Sequence, residues 1–219
     1  MIDTTTFAFL GAVKDALRFA ATPRADHRNS RVRIEWNGAD LLVSAHNVLY
    51  GSVEDVPAEG EDEAFVFHLS AADAKHLGEV FKLAPGLGET PLYLDHANDK
   101  LSVRHLAGGS DVQARQAFYL DALENDDEAP PQPIERIFGN LGAQRVDVAP
   151  LAVHPLFLAG LGATAKRRGE VPLLSAYSRA ALAQVGSRLS VFAAYCDRDD
   201  DEYGAEETQV AMESVGASV

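Results

Sequence analysis

Nine basic side chains stand out for the chemistry they offer: Lys14, Arg18, Arg24 and Arg28, then Lys75 and Lys82, then Lys166, Arg167 and Arg168. They fall in three windows, Phe9–Arg28, Ala71–Ala84 and Ala152–Arg168, which hold only four acids, Asp15, Asp26, Asp73 and Glu79. The windows therefore carry +5 of formal charge, while the remaining ten bases and 29 acids carry −19, within a chain total of −14. Ammonium and guanidinium groups can pair with anions, phosphates among them, without making or breaking a covalent bond. The plainer reading is that amphipathic surface helices ordinarily carry Lys and Arg on their wet side.

Covalent chemistry finds less support. No glycine-rich phosphate loop and no Gly-x-Ser-x-Gly elbow is present. His27 and His76 lie beside the basic residues, where a phosphate contact is feasible, whereas His46, His68, His96 and His105 fall on or near strands as outward-facing or internally bonded residues. Cys196 is the single cysteine, which excludes an intrachain disulfide and a cysteine-built zinc site. It precedes an acidic run, surroundings that raise a thiol pKa rather than activate it. Counted from Asp197 as a calcium loop, position six is Glu202 and position twelve Thr208, neither of them the residue such a loop requires. The expectation is no catalytic residue, no metal and no cofactor, hence not an enzyme.

The elements that must position these bases form a repeat. Thr4–Phe7 reads as a strand, Leu10–Ala21 as a helix, and Arg31–Trp36, Leu41–Ala45 and Val48–Val53 as three more strands. The same order recurs about 60 residues later: strand Ala64–Leu69, helix Ala71–Ala84, strands Pro91–Asp95, Lys100–His105 and Gln113–Asp121. Val32, Ile34 and Trp36 alternate with Arg31, Arg33 and Glu35, the period of a half-buried strand. Ala74, Leu77, Val80, Phe81 and Ala84 form a helical stripe opposite Lys75, Glu79 and Lys82, with Ser70 as N-cap. Asn37-Gly38 predicts a type I′ hairpin turn.

Two tandem strand-helix-three-strand units resemble one domain of a DNA sliding clamp, the polymerase processivity factor. The resemblance covers Thr4 to Leu123 and lies in element order and hydrophobic pattern rather than in a signature motif. It implies an α+β sliding-clamp fold, repeated units with their helices on one face of antiparallel sheets. It also implies that the helices line a hole for duplex DNA, that a DNA polymerase or another replication protein is tethered, and that the chain is a homo-oligomer. The nine bases would then face DNA.

The domain reading is 1–123 as a clamp-like domain, 124–144 as an acidic, proline-rich linker (Pro130, Pro131, Pro133), 145–196 as a third, partial unit, and 197–219 as an acidic tail. In that third unit Arg145–Ala149 reads as a strand, Pro155 to about Lys166 as a helix, and Val171–Tyr177, Ala180–Val185 and Arg188–Ala194 as strands. Gly160 and Gly162 weaken the helix, so close packing is expected at both. Clamp domains take two units, and this segment offers one. Two readings therefore stand: a clamp that holds DNA, or a clamp-fold adaptor outside any ring that engages a host replication or transcription protein. No segment approaches the roughly 18 apolar residues of a membrane span, so a cytoplasmic setting, such as a bacteriophage-infected bacterium, is expected. The two units should share one continuous antiparallel sheet with their helices side by side. Self-association is expected at open edges near Val48–Val53 or Arg188–Ala194.

Overall fold

Period-two alternation builds the strands, and which side each strand buries decides how they assemble. The computed structural model describes residues 1–22, 29–47, 49–81, 90–97, 100–106, 112–119, 153–177 and 180–194, with the backbone alone at 105, 106 and 112–119. The first unit comprises β1 (Ile2–Thr5), α1 (Thr6–Ala16), β2 (Arg31–Trp36), β3 (Leu41–His46) and β4 (Tyr50–Val56). After a short β5 (Ala58–Gly60), the second comprises β6 (Phe65–Ser70), α2 (Ala71–Val80), β7 (Pro91–Ala97), β8 (Lys100–Leu106) and β9 (Val112–Tyr119). The third shows α3 (Pro155–Arg168), β10 (Leu173–Ala176), β11 (Ala180–Val185) and β12 (Leu189–Ala194).

The described strands form two antiparallel sheets, ordered β5-β1-β7-β8-β9 and β10-β11-β12-β4-β3-β2-β6. The expected single sheet is corrected here. Each of the first two units lends its first strand to the other: β1 pairs with β7, and β6 pairs with β2. Neither unit is complete alone. The expected open edges at Val48–Val53 and Arg188–Ala194 are also corrected, because β4 and β12 pair with each other, Tyr50 opposite Ala193 and Glu54 opposite Leu189. The hydrogen-bonding groups thought free for a second copy are used within the chain.

Register shows which face is buried. Opposed residues of antiparallel strands point the same way, so Phe67 and Ile34, then Phe65, Trp36, Leu41 and Val56, share one face of the seven-stranded sheet. That face continues through Glu54 and Leu189 to Val185. Phe9, Leu10, Val13 and Ala16 of α1 and Ala74 and Leu77 of α2 pack on it, together with Ile2, Leu92, Leu94, Leu101 and Val103 of the smaller sheet. Phe157, Leu161 and Ala165 of α3 pack on its other end, against Tyr50, Ala183, Val185, Leu189, Val191 and Ala193. The three described helices therefore lie on one side of this sheet, and α1 touches α2. Trp36 is 1 % exposed, and its indole Nε1 donates to the Asp62 carbonyl at 3.0 Å, so its polar tip is satisfied.

Several boundaries moved for local reasons. Helix α1 starts at Thr6, not Leu10, because the Thr5 hydroxyl accepts from the Ala8 N–H and caps it. It ends at Ala16 in bonds that tighten to Arg18 N–H on Asp15 and Phe19 N–H on Ala16, which drive Phe19 inside. The type I′ turn gives way to a four-residue loop, 37–40, since Trp36 opposes Leu41 and Asn37 Oδ1 accepts from both Ala39 and Asp40 N–H. Strand β4 starts at Tyr50 because Asn47 Oδ1 holds the Leu49 and Tyr50 N–H groups in a turn. Gly160 is tightly packed, a Cβ there falling 3.2 Å from Phe19, whereas nothing lies within 4 Å at Gly162. The expected linker, the strand Arg145–Ala149 and the tail lie outside the described residues.

His68 on β6 opposes Arg33 on the outer sheet face, and burial, then Arg33 and Arg31, lower its pKa to about 4. A folded value below the ordinary 6.5 means that the unfolded chain binds a proton the folded chain refuses. Stability contributed here is full above pH 6.5 and declines as pH falls towards about 4. Urea unfolding of wild type and His68→Gln across that window should give a slope in wild type that the variant lacks.

Candidate nucleic-acid interface

Each helix presents one wet side, directed away from the seven-stranded sheet that buries the other. Lys14 on α1, Lys75 on α2 and Lys166 on α3 are exposed there. Three exposed ammonium groups thus come from three different units on one side of the molecule. His76 and Glu79 share the α2 surface, so that helix adds little net charge of its own. The α2 N-terminus is capped by Ser70, whose hydroxyl accepts the Asp73 N–H at 3.0 Å. Lys14 and Lys166 sit in the last turns of α1 and α3, where a cation also complements the helix dipole. Arg24, Arg28 and Lys82, along with His27, lie outside the described residues.

The remaining arginines behave differently. Asp15 of α1 is 0 % exposed, and Arg167 Nε donates to it at 2.9 Å while Arg168 Nε donates at 2.8 Å. A second contact joins Arg167 Nη2 to the same carboxylate. Arg168 Nη2 donates at 2.5 Å to Glu54 of β4. Arg18 Nε stands 3.8 Å from Asp15, its side chain 31 % exposed. Arg167 and Arg168 are only 20 % and 15 % exposed, so both guanidiniums are turned inward and spent on carboxylates of the first unit. Gly11 makes room for this, a Cβ there falling 3.3 Å from an Arg167 Nη.

Burial pushes the Glu54 carboxyl above its ordinary 4.5, outweighing the bond from Arg168. For Arg168, burial opposes the charge, but the bonds to Glu54 and Asp15 prevail and raise its pKa. The guanidinium therefore stays charged, and Asp15 is the carboxylate on which Arg167 and Arg168 converge. Helix α3 is fixed at its other end by His154, whose Nδ1 accepts the Leu156 N–H at 3.2 Å ahead of Pro155. His154 packs on Tyr50 at 5.9 Å between ring centres, and Tyr50 on Phe157 at 6.5 Å. Packing thus runs in step along β4 and α3, from Tyr50 with Phe157 to Glu54 with Arg168. Sequence reasoning missed Asp15, Glu54 and His154 as positioning residues. The Pro at the first helical position was the one local signal, pointing to a capping residue before it.

Among the described residues no three His, Cys, Asp or Glu side chains come together to hold a metal ion, and no helix is long and apolar enough to cross a membrane. The arrangement is suited to holding a phosphate backbone at a distance by charge.

No protein-family model matches the chain, and no curated protein matches it in sequence. Solved structures do. The chain superimposes on the DNA polymerase III beta subunit of Thermotoga maritima with a TM-score of 0.62 at 11 % identity, over 91 % of this chain and 67 % of that one. For a putative DNA polymerase III beta subunit from Eubacterium rectale the values are 0.63, 9 %, 90 % and 65 %. For a DNA polymerase sliding clamp from Pseudomonas aeruginosa they are 0.58, 12 %, 90 % and 65 %. The chain has the sliding-clamp fold, α+β with antiparallel sheets, and spans about two-thirds of the length of these proteins.

Removing one partner of a buried ion cluster strands the others, at about 3–5 kcal/mol. Asp15→Asn should therefore lower unfolding free energy by about that much in urea melts at pH 7. Glu54→Gln should stay within about 1 kcal/mol of wild type, since burial already works against its charge and the amide still accepts a bond. The sign with pH is opposite to that of His68. With its folded pKa raised, Glu54 takes up a proton on folding, so its contribution grows as pH falls from the raised value towards 4.5. Glu54→Gln should remove that component.

Proposed function

We propose that this chain is a sliding-clamp-like scaffold that rests its helical face on duplex DNA and tethers a polymerase or another replication protein there. The observation that supports this most is the sliding-clamp fold with an exposed lysine on each of α1, α2 and α3, all on one side of the seven-stranded sheet. Lys14, Lys75 and Lys166, with part-exposed Arg18, meet phosphates loosely enough to permit sliding and read no base. Arg24, Arg28 and Lys82 join them in this proposal by their place in the sequence. Arg167 and Arg168 act one step back: they hold α3 against α1 and so set where Lys166 stands relative to Lys14. No bond is made or broken.

The repeat also suggests where copies meet. Within the chain, the last strand of the first unit, β4, pairs with the last strand of the third, β12. Among the described residues the last strand of the second unit, β9, ends the smaller sheet. We place self-association at β9, against β9 of a second copy.

The second reading, an adaptor that binds a host replication or transcription protein without gripping DNA, draws on the net charge of −14. It draws too on the inward commitment of Arg167 and Arg168.

One experiment separates the two. The Lys14→Glu, Lys75→Glu, Lys166→Glu triple variant should bind every duplex sequence more weakly at low salt. For each phosphate that the variant no longer neutralises, the plot of log affinity against log salt should flatten by about 0.9. A control triple, Arg31→Glu, Lys100→Glu, Arg188→Glu, changes the same charge away from the helices and should bind as wild type. Equal weakening in both triples, or no binding by wild type at low salt, favours the adaptor.

A further inference from the structure

We propose that Phe7 is a stacking platform for an unpaired nucleobase, so that the helical face favours duplex DNA interrupted by a short single-stranded gap over intact duplex. The inference rests on the proposed DNA-facing role of the helices and adds an aromatic ring to a site so far described by charge. Phe7 is 54 % exposed. Among the residues whose side chains are described, every other aromatic is buried or part-buried. One exposed apolar side chain is ordinary in itself, so its place decides what it can do. Phe7, Gly11, Lys14 and Arg18 follow at spacings of four, three and four residues, on one line of α1 and the turn that ends it. Lys14 on that line is exposed and Arg18 part-exposed, while Gly11 lies under Arg167, whose Nη2 donates to the Gly11 carbonyl at 3.5 Å. The wet line of α1 thus runs from an aromatic ring to cations. Single strands are held by that combination, a ring for the base and charges for the backbone.

The spacing fits as well. From Phe7 to Lys14 an α-helix rises about 10 Å, and a DNA strand advances about 3.4 Å per nucleotide. A base stacked on Phe7 therefore leaves Lys14 level with a phosphate about three nucleotides along. The platform is also fixed from behind. The Thr6 N–H and the Thr6 hydroxyl both donate to the Thr90 carbonyl, at 2.9 Å and 3.0 Å. On the other side the Thr5 hydroxyl accepts the Ala8 N–H at 3.2 Å. The backbone at Phe7 is thus set before a ligand arrives, and binding orders little more than one ring. Phe9, two residues on, is 0 % exposed and already supplies the aromatic that the core takes from this turn. Intact duplex offers Phe7 no free base face, because each base is stacked between its neighbours. A gap presents one, and every base has such a face, so the preference is for structure and not for sequence.

The test measures binding of the full chain, at low ionic strength, to one labelled duplex that is either intact or carries a short gap. Wild type should hold the gapped form about tenfold more tightly. Phe7→Ser should lose that preference while keeping wild-type affinity for the intact form, and Phe7→Tyr should keep both. Phe7→Leu, apolar without a ring, should behave as Phe7→Ser does. A fluorescent base analogue placed in the gap should be quenched by wild type and Phe7→Tyr but not by the other two. Since the side chain is exposed, urea melts of the three variants should match wild type. Equal binding of both forms by wild type would overturn this inference and leave the proposed function standing, whereas binding of neither would overturn both. A preference retained in Phe7→Leu would overturn stacking in favour of a plain apolar contact, of the kind a protein partner makes.

Discussion

A fully buried carboxylate, Asp15, holds this molecule to one arrangement. It lies on α1 of the first unit and receives the guanidiniums of Arg167 and Arg168 from the end of α3, more than 150 positions along the chain. Glu54 of β4 completes the cluster through Arg168. Charges buried without partners are costly, and a paired cluster tolerates few alternative geometries. Such a cluster is weak evidence for added stability and better evidence for a fixed registration of two elements. Here it determines how far α3 slides along β4, in step with Tyr50 on Phe157 and with Ala193 opposite Tyr50 in the strand ladder. Backbone pairing sets the sheet, and the ion cluster sets the helix upon it.

Much of this was legible in the sequence, because strands and helices announce themselves within a few residues. The alternation of Val32, Ile34 and Trp36, the stripe of Ala74 and Leu77, and Pro155 at the start of α3 are local signals, and the elements they mark are present. What escaped is non-local or spent on neighbours. The exchange of β1 and β6 between units leaves each strand's own pattern unchanged, so no periodicity reveals it. The β4–β12 pairing joins strands far apart in the chain. Open-edge reasoning pointed at those two strands because they are the ones left over when each unit is drawn alone. β5 is too short and too poor in β-formers to read as a strand. It exists because β1 offers it a partner.

The candidate site was drawn from charge alone, and charge along a sequence does not show which way a side chain turns. Lys-Arg-Arg at the end of a helix reads as one basic cluster, yet only Lys166 of the three is exposed. The other two sit against Asp15 and Glu54, acids that the sequence places on other elements and that a window count treats as unrelated. Part of the apparent asymmetry between basic helices and acidic strands is thus internal neutralisation. What is left is sparse: one exposed lysine per helix, in a chain of net charge −14. On the proposed reading, that balance suits a weak, sliding contact more than a tight grip, since affinity for a polyanion grows with the number of phosphates neutralised.

The central claim is that duplex DNA meets the helical side of the seven-stranded sheet and not the opposite side. Photo-crosslinking from single probe residues tests it most directly. Probes at Lys14, Lys75 and Lys166 should capture a linear duplex at low ionic strength, while probes at Glu35, Asp55 and Gln184, which register places on the opposite face, should not. Capture from the second set, or from both sets alike, would contradict the account.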